Sequence, residues 1–296
     1  MNLSLFRDAG LPALPPRPAD GHKGTFGRTM IVGGSRGMSG APALAGLGAL
    51  RGGAGLVYVA IPQSIAPIVG GIDPSYLTIP LVEDEEGRLA AGASDRILEQ
   101  LSSMTAIGLG PGLGKSPALK TLVRALYRTA GIPAVVDADA LNLLSEMRDV
   151  LFEPGAERVL TPHPGEFSRL TGRSMEEIQE RREALAAEFA RQHRCVLVLK
   201  GPQTVITDGT RIVLNTTGNS GMATGGTGDV LTGLTAALLG QGLPGYEAAR
   251  LAVYLHGLAG DLAAEELSEP GMIASDLPRY LPKAWLKMQA EARQRR

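Results

Sequence analysis

One stretch limits this chain more than any other: Asn219-Ser220-Gly221-Met222-Ala223-Thr224-Gly225-Gly226-Thr227-Gly228-Asp229. It joins a β-like run at 212–215 to a strongly helical run at 230–241. Glycine accepts the positive φ angles that turn several N–H groups toward one point. A helix starting there adds the positive end of its dipole. The product is an anion hole at Gly226, Thr227 and Gly228, with the carboxylate of Asp229 at its edge. Such a carboxylate is costly beside phosphate unless it acts, and taking the proton of an attacking hydroxyl is the obvious act. Taken alone, the stretch reads first as a glycine-rich turn with Asp229 as a helix cap.

The rest of the chain changes that ordering. Apolar runs at 29–32, 56–61, 76–82, 105–109, 133–136, 158–160 and 195–199 alternate with helical patterns at 41–51, 97–101, 117–130 and 175–194. Strand–helix–strand alternation predicts an α/β fold, a mostly parallel central sheet flanked by helices on both faces. Runs at 205–207 and 212–215 pair across Asp208-Gly209 as a hairpin. Helices are expected again at 245–266 and 275–288. Residues 1–28 read as an extended, proline-rich lead-in, and 290–296 as a frayed tail. With no internal repeat or linker, residues 1–296 read as a single domain.

Polar loops fall after successive strands, and a parallel sheet brings them to one edge. Gly33-Gly34-Ser35-Arg36-Gly37-Met38 does not match G-x-G-x-x-G, so it is a plain turn or a different ligand loop. Gly114-Lys115-Ser116 suggests a phosphate loop, but Leu109 stands where that pattern needs glycine. Asp137 and Asp139 end a strand, as metal or substrate contacts or as a helix cap with ion pairs. His163, held between Pro162 and Pro164, is a ligand contact or a packing residue.

A net charge of −1 supplies no basic field for nucleic acid. The single cysteine, Cys195, lies in an apolar run, reads as buried and inert, and suits a reducing compartment. Prolines and polar residues within 52–72 make that uncharged stretch a poor membrane span. A cytoplasmic protein is expected.

These loops resemble those of the ADP/ATP-dependent NAD(P)H-hydrate dehydratases, a branch of the ribokinase-like superfamily. The matching stretches begin at Gly33, Gly108, Val136, Thr161, Lys200 and Asn219, in family order along nearly the whole chain. Thr161-Pro162-His163-Pro164-Gly165-Glu166 and Gly221 to Asp229 are specific to the branch. The resemblance implies that Asp229 is the catalytic base. It implies that Ala41, Gly112, His163 and Asp229 contact hydrated NADH or NADPH. Lys200, Gly201, Pro202, Gln203, Thr204 and Gly228 would hold ADP or ATP as co-substrate. Mg²⁺ would bridge phosphates; its protein ligands are unknown, with Asp139 and Glu166 the carboxylates considered. A homotetramer is implied, with no partner of nucleic acid or membrane. Relatives with an N-terminal epimerase domain need more chain than precedes residue 29. Ser220 stands where many relatives carry proline, which implies a slightly looser loop.

Overall fold

The computed structural model describes residues 6–7 and 10–294. Its strands are β1 (Phe6–Arg7), β2 (Arg28–Val32), β3 (Leu56–Pro62), β4 (Leu77–Leu81), β5 (Ala106–Leu109), β6 (Ala134–Val136), β7 (Arg158–Leu160), β8 (Val196–Leu199), β9 (Val205–Thr207) and β10 (Arg211–Leu214). They form one sheet in the order β1-β10-β9-β8-β7-β6-β5-β2-β3-β4. Pairing is parallel from β8 to β4. The β9–β10 hairpin adds antiparallel strands beside β8, and β1 lies parallel to β10.

From β2 the chain works outward through β3 to β4, then returns to β5 and works outward the other way. The β2–β5 boundary is therefore a topological switch point. In such sheets the crevice beyond the strands' C-terminal ends accepts ligands.

Strand side chains alternate between two cores, as a sheet covered on both faces requires. Met30 and Val32 point to one core and Ile31 to the other. The first core is closed by α3 (Ala93–Leu101), α4 (Pro117–Thr129), α5 (Ala138–Ser145), α6 (Pro164–Thr171), α7 (Met175–Glu180) and α8 (Arg182–His193). The second is closed by α1 (Gly40–Arg51), α2 (Ala66–Gly70), α9 (Thr227–Gly240), α10 (Gly245–Leu267) and α11 (Leu277–Gln294).

The small residues of α1 are spent inside the chain, against α9. A Cβ on Gly48 would come within 2.3 Å of the Val230 carbonyl oxygen, and one on Gly233 within 1.8 Å of the Ala45 oxygen. Both obstacles are backbone and cannot rotate away. Gly233→Ala gains about 1 kcal/mol of helix propensity. Overpacking costs about 1–3 kcal/mol, and at this separation it wins. The variant is expected to melt lower than the parent in a thermal scan, and an unchanged or raised Tm would contradict this packing.

Several expected elements differ. The helix expected at 175–194 breaks at Arg181, which ends α7 and starts α8 with φ −129°. α11 continues to Gln294, so most of the expected frayed tail is helical; Arg295 and Arg296 lie outside the described residues. α5 and α6 follow the polar stretches after β6 and β7, where no helix range was expected. The signal for α6 was present: Pro164 at its first position and Glu166 at its third, after a capping residue. Cys195 is a buried free thiol, pushed up to about 12 by burial, in keeping with an inert role.

Candidate active site

The glycine-rich stretch folds as a lip over the N-terminus of α9. Asn219 is extended, and its side chain accepts a hydrogen bond from the Gly221 N–H at 3.0 Å. A 3₁₀ turn follows at Ser220–Met222. Gly226 then takes φ 98°, a left-handed angle, and a Cβ there would lie 2.6 Å from Leu44 of α1. Thr227 donates its hydroxyl to the carbonyls of Met222 and Thr224, both at 3.1 Å, drawing the lip onto the helix. The Thr227 carbonyl in turn accepts from Nε2 of His256, 2.9 Å away. Burial pushes the His256 pKa down to about 4, so this donor stays neutral. At the start of α9 the N–H groups of Asp229 and Val230 turn to the Gly226 carbonyl, at 3.1 and 3.3 Å, ahead of which the helix offers no carbonyl to Thr227 and Gly228. The Ser220 hydroxyl donates to the Glu269 carboxylate and links the lip to the segment after α10.

Beneath the lip lies a charged cluster built around Lys200, at the end of β8. The ammonium is 2.8 Å from Asp137 Oδ1 and 3.8 Å from Glu166 Oε2. A Cβ on Gly228 would be 3.3 Å from it. Burial alone would lower the Lys200 pKa, but the charges of Asp137 and Glu166 outweigh it and hold the ammonium protonated. Asp137, almost fully buried, uses its second oxygen to accept from Thr232 of α9 at 2.7 Å. Thus β6, β8 and the first turns of α9 are joined through one carboxylate.

Asp229, in the first turn of α9, borders this cluster. Its pKa is pushed up to about 7, chiefly by burial and then by the charge of Asp137, with Lys200 opposing. Glu166 is also raised, by burial first and against the pull of Lys200. The site therefore holds two carboxylates with unusual proton affinity beside the N-terminus of α9. Such groups suit acid–base work near neutral pH.

His163 closes one side as the N-cap of α6. Its Nδ1 accepts from the N–H groups of Gly165 (3.0 Å) and Glu166 (3.3 Å). Glu166 Oε2 accepts from the His163 N–H at 2.7 Å, completing a capping box. With Nδ1 committed as acceptor, the neutral ring carries its proton on Nε2, on a half-exposed side chain. Burial, helped by Lys200 and Arg169, lowers the His163 pKa.

On the other side, Gly112 has φ 64° and would place a Cβ 3.0 Å from that of Ala41. Ser35 Oγ donates to the Gly112 carbonyl at 2.9 Å. The loops after β2 and β5 thus form one wall at the switch point, and Leu44 carries that wall to Gly226.

The structure brings Asp229, Gly228, Lys200 and Glu166 together and sets Ala41 against Gly112. Gly201, Pro202, Gln203 and Thr204 form a separate tight turn. Gly201 and Gln203 have φ 128° and 52°, and Arg182 of α8 donates to the Pro202 carbonyl at 2.7 Å. Of the residues expected to hold nucleotide, Lys200 thus stays beside Gly228 and apart from this turn, its ammonium directed to the carboxylates. Sequence reasoning missed Thr232 and Arg182: one is an ordinary helical threonine and the other a charged residue on a helix of charged residues.

Among the described residues no three His, Cys, Asp or Glu side chains converge on a point that could hold a metal ion. Asp139 accepts from the Gly114 N–H (2.9 Å) and from Asn142 (3.3 Å), while Glu166 faces Lys200. These carboxylates are already partnered by cationic or N–H donors.

A cavity of about 690 Å³ lies elsewhere, lined by Pro15, Arg17, Phe26, Gly53, Trp285 and Met288. Its lining includes Gln241, just past the C-terminal end of α9, so it lies about 20 Å from the lip by the rise of that helix. It contains no carboxylate.

Comparison with known proteins identifies the family. Residues 29–283 match the family described as NAD(P)H-hydrate dehydratase. The bifunctional NAD(P)H-hydrate repair enzyme Nnr of Moorella thermoacetica is 46% identical over 280 residues, 94% of this chain and 53% of that protein. The chain thus spans about half the length of the bifunctional relatives it matches. The ADP-dependent (S)-NAD(P)H-hydrate dehydratase of Cenarchaeum symbiosum is 38% identical over 91% of this chain and 92% of its own length. The crystal structure of the ADP/ATP-dependent NAD(P)H-hydrate dehydratase of Bacillus subtilis, co-crystallized with ATP/Mg²⁺, superposes with a TM-score of 0.78 at 33% identity, covering 93% of this chain and 94% of that one. The ribokinase-like fold that the motifs implied is the one observed. By its matched residues and by these relatives, the chain belongs to the NAD(P)H-hydrate dehydratase family.

Proposed function

We propose that this chain dehydrates the S-epimer of hydrated NADH and NADPH, with ADP or ATP as phosphoryl donor, and so returns the damaged cofactor to use. The observation that carries the reading is Asp229: a carboxylate of raised pKa at the helix end that forms the anion hole. Hydroxide leaves poorly from the hydrated ring at neutral pH. Asp229 takes the hydroxyl proton as that oxygen attacks the terminal phosphoryl group. The N–H groups of Gly226 to Gly228 stabilise the charge in transit, each donor worth about 3 kcal/mol. AMP departs from ADP, or ADP from ATP. The ring nitrogen lone pair then expels phosphate, and loss of a neighbouring proton restores the dihydronicotinamide.

The wall of Ala41 and Gly112 and the Nε2–H of His163 are assigned to the hydrated nicotinamide. The turn from Gly201 to Thr204, with Gly228, is assigned to the adenine nucleotide. Mg²⁺ is assigned to the nucleotide phosphates alone, and no step of this reading runs through it. ADP is taken as the preferred donor, and the chain as a cytoplasmic homotetramer. No helix among the described residues is long and apolar enough to cross a membrane.

The same anion hole and aspartate would also serve a kinase of a small vitamin precursor. The products separate the two: a dehydratase returns NADH and free phosphate, a kinase leaves a stable phosphoester. Incubation with NADH hydrate, Mg²⁺ and either ADP or ATP is expected to restore NADH absorbance. No recovery with either nucleotide would end the dehydratase reading.

A further inference from the structure

The dehydration removes two protons from its substrate, one from the hydroxyl and one from the ring carbon beside the phosphorylated carbon. A carboxylate that has accepted the first is not free for the second until it discharges. The cluster contains four carboxylates, and their partners tell them apart. Asp137 is tied by both oxygens, to Lys200 and to Thr232. Asp139 is tied by both oxygens, to Gly114 and to Asn142. Asp229 lies on the α9 side of Lys200, at the anion hole. Glu166 lies on the α6 side, with Oε2 held by the His163 N–H and facing Lys200. Its other oxygen, Oε1, has the His163 imidazole beside it, 3.6 Å from Nε2.

We propose that Glu166 is the second base of the reaction, accepting through Oε1 the ring proton lost as the phosphorylated hydrate collapses to the dihydronicotinamide. The proposal rests on the dehydratase reading above. In the step, the ring nitrogen lone pair expels phosphate and leaves an iminium. The proton on the adjacent carbon passes to Glu166. The C–H electron pair becomes the ring double bond, and the nitrogen recovers its lone pair. The proton on Glu166 then returns to solvent, so no further reactant is required.

Geometry supports the assignment in three ways. The capping box fixes the Glu166 rotamer, because the carboxylate must reach back to the His163 N–H. Oε1 lies 3.6 Å from Nε2 of the half-exposed imidazole, the N–H assigned above to the nicotinamide. Lys200, between Glu166 and Asp229, favours the ionised form of whichever is unprotonated. The charged groups facing Glu166 are Lys200 and Asp137 from neighbouring strand ends and Arg169 on its own helix. Burial raises its proton affinity into the range useful for a base at neutral pH.

Glu166→Gln tests this, since glutamine can keep the capping box through its amide oxygen. With ADP and NADH hydrate, a rapid-quench experiment would follow AMP release, and absorbance would follow NADH. At pH 8 and above, where Asp229 is ionised with or without the Glu166 charge, the variant is expected to release one equivalent of AMP per site at the parental rate. NADH formation is expected to fall about 100-fold or more. A hydrate deuterated at the reacting ring carbon should then show an isotope effect on NADH formation larger than in the parent. Parallel loss of AMP and NADH, or NADH at the parental rate, would overturn the assignment. Failure of the parent itself to form NADH would instead defeat the dehydratase reading.

Discussion

Asp229→Asn is expected to lower NADH recovery by about 10²–10⁴-fold, the usual worth of a positioned general base. The variant removes the base from the phosphoryl-transfer step, so AMP release should fall by the same factor. That parallel loss separates it from Glu166→Gln. Nucleotide binding should survive, because the anion hole is made of backbone N–H groups and the turn at Gly201 to Thr204 is untouched. Isothermal titration with ADP would check this, and loss of ADP affinity together with activity would show Asp229 to be a binding residue instead. The parent's activity should rise with pH through about 7, where the Asp229 carboxyl becomes the base. Stability runs the other way. A carboxyl raised from the ordinary 3.8 to about 7 in the fold contributes stability below the ordinary value, lost as pH rises through about 7. Asn has no such dependence. The variant should therefore gain Tm over the parent at pH 8 relative to pH 4, a loss of function joined to a gain of stability.

Much of this was legible before any coordinates. Strand–helix alternation gave a parallel sheet, and the parallel sheet put the loops at 33, 110, 137, 161, 200 and 219 on one edge. Hairpin chemistry at Asp208-Gly209 placed β9 and β10, with Asp208 Oδ1 accepting from the N–H groups of Thr210 and Arg211. What escaped was chemistry set by three-dimensional pairing. Asp137 ends a strand and precedes a helix, so sequence offered it as a cap. It is the N-cap residue, yet its side chain makes no cap bond and reaches Lys200 and Thr232 instead. Those partners lie 63 and 95 residues away, beyond any local pattern. Lys200 reads as a cation for phosphate until its neighbours are known. The order of strands alone was not enough either, because the inward turn of that ammonium depends on side-chain geometry at β6 and α6.

Asp137→Ala is the substitution expected to cost the fold most. Asp137 is buried and supplies the short contact of Lys200. Removing one partner of a buried ion pair costs about 3–5 kcal/mol, because the remaining charge is left without compensation. Here Glu166 is 3.8 Å from the same ammonium and can move toward it, so the low end, about 3 kcal/mol, is expected. Thr232 loses its carboxylate acceptor but keeps the Gly228 carbonyl at 3.1 Å, which limits the damage to α9. Asp137→Asn should cost less, since its amide oxygen can still accept from Thr232 or Lys200. The two variants also differ from a purely structural lesion in their pH dependence. The charge of Asp137 raises the Asp229 pKa, so its loss should move the acid limb of the activity profile below about 7. Freed from Asp137, Lys200 draws closer to Asp229 and Glu166 and pushes in the same direction. Denaturant melts and a pH–rate profile on Asp137→Asn would check both parts. An acid limb that stays in place would mean that Asp137 only holds the fold and does not set the proton affinity of the catalytic carboxylate.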